Sequence, residues 1–193
     1  MNRKILSSLS LFLIGFLTFS SSVWCGEVQT ITLGGKPLTL TGEKLQTGKM
    51  LPTVLLPDLG LNMVDLQSFK GKVTLLSVVP SLDTPTCDKQ THILSEENKG
   101  LDKIANLITI SRDLPFAQKR FATKTKMQNI TFLSDYRDAQ FGKSTGLLIE
   151  ENRLLARAII ILDPEGTVRY LEIVSELSKL PDMEKAMEFA RSL

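Results

Sequence analysis

Cysteine is nearly absent from this chain of 193 residues: two occur, Cys25 and Cys87, with no CxxC pair. A disulfide-stapled scaffold is therefore excluded, and the core must hold itself together by packing. Histidine is scarcer still. His92 is the only one, and with no cysteine pair or acidic cluster beside it a metal centre has no support. No glycine-rich phosphate loop follows a strand, so nucleotide chemistry lacks its motif, and no cofactor is implied. Repeats, low-complexity tracts and long linkers are missing as well, which leaves one domain as the simplest count. Excess charge is also lacking. The chain carries 23 basic and 21 acidic residues. Setting aside Arg3 and Lys4, in the first four residues, leaves 21 of each sign, so nothing marks a partner as nucleic acid.

The first residues have a pattern of their own. MNRK is basic, ILSSLSLFLIGFLTF (5–19) is apolar and uncharged, and SSSVW leads to Cys25 and the first acid, Glu27. Basic start, apolar stretch and small-residue end make a secretory signal, with Ser20 and Ser22 placed as the −3 and −1 residues of a cleavage site. The expected division is a signal at 1–24 and one domain at 25–193, with a periplasmic or secreted destination. Two lesser readings stand beside it. Residues 5–24 are long enough to anchor in a bilayer of ~30 Å. Cys25 also stands where a lipoprotein cysteine would, although Ser22 and Trp24 replace the usual leucine and small residue. Cleavage after Ser22 would leave Cys25 as a second thiol; cleavage after Cys25 would leave Cys87 alone.

Downstream, VQTITLGGKPLTL (28–40) predicts a hairpin turning at Gly34-Gly35, followed by a polar, loop-like stretch to SFKGK (68–72). The apolar runs VTLLSVV (73–79), LITIS (107–111) and ITFLS (130–134) predict strands buried on both faces. ARAIIILD (156–163) and VRYLEIV (168–174) flank Pro164-Glu165-Gly166 as an antiparallel hairpin. Helices are expected at 85–99, at 115–126 and from about Pro181 onward, where Met183, Ala186, Met187 and Ala190 share a face. The sum is an α/β fold: a mixed central sheet with a parallel centre, helices on both faces and an N-terminal β-hairpin. In such sheets sites form beyond the carboxyl ends of the parallel strands, and Cys87 lies there, just past 73–79.

Thr84 suits a helix N-cap and Pro85 the first helical position, which puts Cys87 in the first turn. Unpartnered N–H groups and the positive end of the helix dipole favour a thiolate there, the nucleophilic form of the thiol. On spacing alone, a buried structural cysteine is an equal alternative.

PSLDTPTC (80–87) fits the P-x-x-x-T-x-x-C pattern of peroxiredoxins. Four longer blocks, SFKGKVTLLSVVPSLDTPTCDKQT, SRDLPFAQKRF, FLSDYRDAQFG and LLARAIIILDPEGTVRYLEIV, are similar in order and spacing to the bacterial thiol peroxidase branch, from about residue 28 to the end. This resemblance implies a thioredoxin-like (peroxiredoxin) fold, a thiol-dependent peroxidase acting on hydrogen peroxide and alkyl hydroperoxides, and a homodimer. It makes Cys87 the peroxidatic cysteine, attacking a peroxide oxygen to give a sulfenic acid. Thr84 would set its hydroxyl beside the thiolate, Arg157 would hold thiolate and peroxide, and Pro80 would shield the pocket. The bland alternatives are an N-cap for Thr84, a salt bridge at a strand start for Arg157 and a strand-end breaker for Pro80.

 This sequence departs from the branch at one telling place. There, the block DLPFAQxRF is usually followed at once by the resolving cysteine that closes a disulfide with the peroxidatic one; here SRDLPFAQKRF runs into Ala122. The resemblance therefore implies a one-cysteine cycle, finished by an external thiol such as that of a thioredoxin-like protein. Thr145 and Met183 also stand where the family commonly has tyrosine. Two rival readings use the same residues. One is a catalytically idle binding or holdase module; the other is a thiol-disulfide oxidoreductase, which lacks the CxxC pair such exchange uses. His92 is read as a helix-surface residue, Arg112 and Arg120 as solvated, and Glu96, Glu97, Asp135 and Asp138 as surface charges.

Overall fold

The structure is a computed structural model and describes residues 29–193. The signal, anchor and lipoprotein readings, and Cys25 with them, lie outside the described residues. In chain order the elements are β1 (Thr30–Leu33), β2 (Lys36–Thr41), β3 (Leu55–Pro57), β4 (Met63–Asp65), a 3-10 turn (Leu66–Phe69), β5 (Thr74–Val78), α1 (Pro85–Glu96) and α2 (Leu101–Ile104). They continue with β6 (Asn106–Ser111), α3 (Pro115–Thr125), β7 (Thr131–Ser134), α4 (Gln140–Thr145), β8 (Leu148–Ile149), β9 (Ala158–Leu162), β10 (Val168–Ile173) and α5 (Met183–Arg191).

Five strands form the main sheet in the order β10-β9-β5-β6-β7. β5, β6 and β7 run parallel, and β9 is antiparallel to both β5 and β10. The parallel strands therefore occupy one side of the sheet, with β5 in the middle. Every residue of β5 and β9 is buried, as their unbroken apolar runs require of strands covered on both faces. Side chains alternate between two cores. Leu76 and Val78 join one with Ile31, Leu56, Phe141 and Ile149, beneath the small hairpins and α4. Leu75 and Val79 join the other with Cys87, Leu94, Ala122, Phe132, Ala186 and Met187, beneath α1, α3 and α5. Helices cover both faces, but the first face carries only the short α4.

The helix expected at 85–99 ends earlier. Glu97 caps α1, Lys99 and Gly100 take positive φ, and the Asn98 side chain accepts from the Gly100 amide before α2 begins. Asp135 is a second difference: it is buried, not a surface charge. Its carboxylate accepts from the amides of Phe141 (2.9 Å) and Gly142 (3.0 Å), supplying the acceptors that the start of α4 needs. Burial raises its pKa, and those two amides oppose the rise. Arg112 is half-buried rather than solvated, its Nη2 donating to the carbonyl of Tyr136 at 2.8 Å.

The N-terminal hairpin turns at Gly34 and Gly35, both with positive φ, as a two-residue turn of this twist demands. It braces the far side of the chain. The Thr32 amide donates to Ser175 O and its carbonyl accepts from the Leu177 amide, each at 2.7 Å. Glu176 accepts from the Thr32 hydroxyl (2.7 Å), the Gly34 amide (3.0 Å) and the Ser178 hydroxyl (2.8 Å). These bonds, that from Thr32 first, lower its pKa to about 2 from the ordinary 4.5. A lowered acid pKa gives stabilisation that is present above pH 4.5 and lost as the pH falls toward 2. Hydrogen-exchange protection of the Gly34 amide should fall through that window. In Glu176→Gln it should be weak at every pH; unchanged protection in that variant would remove the clamp.

Candidate active site

Strand β5 ends at Val78 and the chain passes buried Pro80 into a turn before α1. Asp113, at the start of the loop into α3, fixes that turn. Its carboxylate accepts from the Ser81 hydroxyl (2.7 Å), the Leu82 amide (2.8 Å) and the Ser111 hydroxyl (2.8 Å). The first turn of α1 is tied down again from the opposite side, where the Thr86 hydroxyl donates to Ser178 O at 3.2 Å. Cys87 sits in this turn with no exposed surface.

Thr84 is the N-cap by backbone conformation, yet its side chain makes no capping hydrogen bond. The hydroxyl lies 2.9 Å from Cys87 Sγ and 3.0 Å from Ser81 O. One proton cannot serve two acceptors at full strength. With a thiol, S–H donates to the hydroxyl, which donates to Ser81 O; with a thiolate, the hydroxyl donates to sulfur. The side chain thus follows the ionisation of Cys87.

Arg157 comes from the segment entering β9, and its side chain lies on the face of the sheet that α1 covers. It is 2% exposed, and all three of its nitrogens are engaged. Nε donates to Leu177 O (3.0 Å), Nη1 to Gln90 Oε1 (2.8 Å) and Nη2 to Cys87 Sγ (3.4 Å). Among the described residues no ion pair includes Arg157, so the expected alternative of a strand-start salt bridge finds no carboxylate. A buried cation needs a counter-charge. The ionisable group in contact with the guanidinium is Cys87.

The structure thus brings Thr84, Cys87 and Arg157 together and puts Pro80 at the buried end of the β5 strand. Gln90, one helical turn beyond Cys87, was not among the expected residues. Fully buried, it accepts from Arg157 and donates to Ser77 Oγ at 2.8 Å. The signal was there: Ser77 is a lone hydroxyl within LLSVV, and Gln90 shares a helix face with Cys87. A neutral amide orients Arg157 without consuming its charge. Gln90→Glu should place a second anion on the guanidinium and lower the rate of Cys87 alkylation at neutral pH about tenfold or more. An unchanged rate would show that the charge of Arg157 does not reach the sulfur.

A groove of about 900 Å³ opens beside the site, between Leu82, Asp83, Thr84, Pro85, Asp88 and His92 on one wall and Ala117, Arg120, Phe121, Lys124 and Thr125 on the other. His92 is partly exposed on α1, between Asp88 (3.4 Å) and Glu96 (2.7 Å). Glu96, Glu97 and Asp138 are exposed, as is Arg120. Ala122 is buried on the inner face of α3, in the same core as Cys87. Thr145 is buried and donates to Phe141 O at 2.7 Å, while Met183 opens α5 inside the core.

The chain belongs to the Redoxin family, whose model matches residues 46–187. Within it, the chain falls with the bacterial thiol peroxidases. It is 47% identical to a thiol peroxidase of Halalkalibacterium halodurans over 165 residues, covering 84% of this chain and 98% of that one. A thiol peroxidase of Staphylococcus saprophyticus is 44% identical over 163 residues, with the same coverage. Among solved structures, a peroxiredoxin-like protein of Aquifex aeolicus superposes with a TM-score of 0.80 at 34% identity, covering 86% of this chain and 99% of that one. The fold is the thioredoxin-like fold of peroxiredoxins.

Proposed function

We propose that this chain is a thiol-dependent peroxidase that reduces hydrogen peroxide and alkyl hydroperoxides through Cys87. The observation that carries this reading is the buried Arg157, without a carboxylate partner and aimed at Cys87 Sγ beside the Thr84 hydroxyl. The thiolate attacks the terminal peroxide oxygen and forms an S–O bond as the O–O bond breaks. Sulfur is oxidised to the sulfenic acid; the leaving oxygen takes a proton and departs as water or an alcohol. Arg157 and Thr84 hold the sulfur and the peroxide, and supply the positive charge and the donor that the leaving oxygen needs. Pro80 shields the pocket from the solvent side.

With alanine at 122, the cycle ends on a thiol from outside, that of a thioredoxin-like protein in the same compartment. Because Cys87 is fully buried, the first turn of α1 must open before a protein thiol touches its sulfur. Residues 1–24 act as an export signal and 25–193 as the peroxidase domain, placing the enzyme in the periplasm or outside the cell, as a homodimer.

Stopped-flow mixing of the protein with hydrogen peroxide and with an alkyl hydroperoxide tests the activity. Rapid loss of one thiol per chain is expected, and none in Cys87→Ser; equal peroxide consumption by the two proteins would end the proposal. Mass spectrometry of the exported form should find a start between Ser22 and Gly26. A diacylglycerol on Cys25, or an intact Met1, would replace the cleaved-signal reading. Light scattering at the mass of one chain would remove the dimer.

A further inference from the structure

From Leu114 to Ser134 the sequence contains no acid, but it contains Lys119, Arg120, Lys124 and Lys126. In a chain whose charges otherwise balance, this is a local excess of one sign. All four side chains are exposed on or just after α3, and no ion pair among the described residues uses them. The same surface shows two large apolar side chains, Leu114 at 50% exposure and Phe116 at 56%. A shallow depression of about 530 Å³ lies among Phe116, Lys119, Arg120, Thr123 and Lys124. Arg120 and Lys124 also line the groove that reaches Thr84 and Pro85. The basic, partly apolar face of α3 is therefore continuous with the approach to the turn that holds Cys87.

We infer that this face docks the protein that reduces Cys87, and that the partner's surface around its reactive thiol is acidic, with a notch for Phe116. The inference rests on the peroxidase reading above. Clustered cations would steer an acidic partner, and a single exposed aromatic would anchor it. A protein fits better than an anionic bilayer because the facing wall carries Asp83 and Asp88. A lipid surface of uniform negative charge would be repelled there, whereas a protein can present a cation. Once docked, the partner's thiolate attacks the sulfur of the sulfenic acid, forming a mixed disulfide and expelling hydroxide, which leaves as water. A second thiol of the partner then attacks the partner's own sulfur. Cys87 is released as the thiolate, and the partner carries the disulfide.

The test compares reduction of the peroxide-treated protein by a recombinant thioredoxin, as the acidic dithiol probe, with reduction by dithiothreitol. Lys119→Glu combined with Lys124→Glu should slow the thioredoxin reaction at least about tenfold and flatten its salt dependence. Sulfenic acid formation and reduction by dithiothreitol should not change, which shows that the variant is folded. Phe116→Ser should slow the thioredoxin reaction alone. A thioredoxin rate indifferent to both changes would overturn the inference and leave the peroxidase reading standing. Charge-dependent binding to phosphatidylglycerol vesicles with an unmoved thioredoxin rate would overturn it in favour of a membrane. Failure to form a sulfenic acid at all would overturn the peroxidase reading, and this inference with it.

Discussion

Arg157→Lys is expected to slow the reaction with peroxide by roughly 10²–10³-fold, the usual cost of removing a positioned donor from a site of developing negative charge. The fold should survive, because a cation remains in the buried site and keeps part of the hydrogen bonding there. The loss follows from shape. The guanidinium reaches Leu177 O, Gln90 Oε1 and Cys87 Sγ from three nitrogens held in one plane. An ammonium is a single charged centre on a shorter reach and cannot serve all three. Arg157→Leu separates charge from structure in the opposite sense. It leaves Gln90 Oε1 and Leu177 O without their donor, and each buried acceptor left unpaired costs about 1–3 kcal/mol. That variant should lose both activity and thermal stability, whereas the lysine variant should lose mainly activity. Equal peroxide rates for wild type and Arg157→Lys would show that Arg157 serves the fold alone.

Four strands of the main sheet, β5, β6, β7 and β9, were legible because they are buried along nearly their whole length, and such burial leaves an uninterrupted apolar run. The partly exposed β10 was legible from the Pro164-Glu165-Gly166 turn before it. Of the pieces that cover one face, the N-terminal hairpin was legible from its Gly34-Gly35 turn and the others were not. β8 is two residues, Leu148 and Ile149, paired to Leu40 and Thr41 of β2, and β3 and β4 are three residues each. Segments so short have no period to read; partners distant in sequence define them. Gly42 shows how close that contact is, since a Cβ there would lie 2.1 Å from the carbonyl of Lys143. Asp135 was misread for a related reason. The amides it serves are six and seven residues ahead, beyond the spacing of a helix cap. At the site, local signals placed Thr84 and Cys87 in one helical turn, and the resemblance supplied their roles. Arg157 is 70 residues from Cys87, so only the resemblance pointed to it. Gln90 was overlooked because an isolated glutamine on a helix reads as solvent-facing until its burial is known.

One equivalent of peroxide should leave Cys87 as a sulfenic acid that a dimedone-type reagent traps in full and that persists while no thiol is added. The described residues contain no second cysteine to condense with it. Intact mass should therefore show one added oxygen and no loss of two hydrogens. Ala122→Cys places a thiol at the position where the resemblance implies a resolving cysteine. Ala122 is 8% exposed, and its carbonyl accepts from the Met127 amide at 3.2 Å, so the new sulfur would start inside a formed helix. A disulfide to Cys87 requires the two Cα atoms to come within about 7 Å with their side chains facing. Local opening at the ends of α1 and α3 would give the two sulfurs the freedom to take that geometry, and the cost of overfilling the core, typically about 1–3 kcal/mol, favours it. The variant should form the internal disulfide after peroxide and shorten the life of the sulfenic acid at least about tenfold, since the resolving thiol becomes a tethered one. An equally long-lived sulfenic acid in Ala122→Cys would mean that α3 stays closed, and reduction would then depend on α1 opening alone. Rapid formation of a Cys25–Cys87 disulfide in the wild-type protein would be the more serious result. It would replace the one-cysteine cycle and give the resolving role to the N-terminal segment.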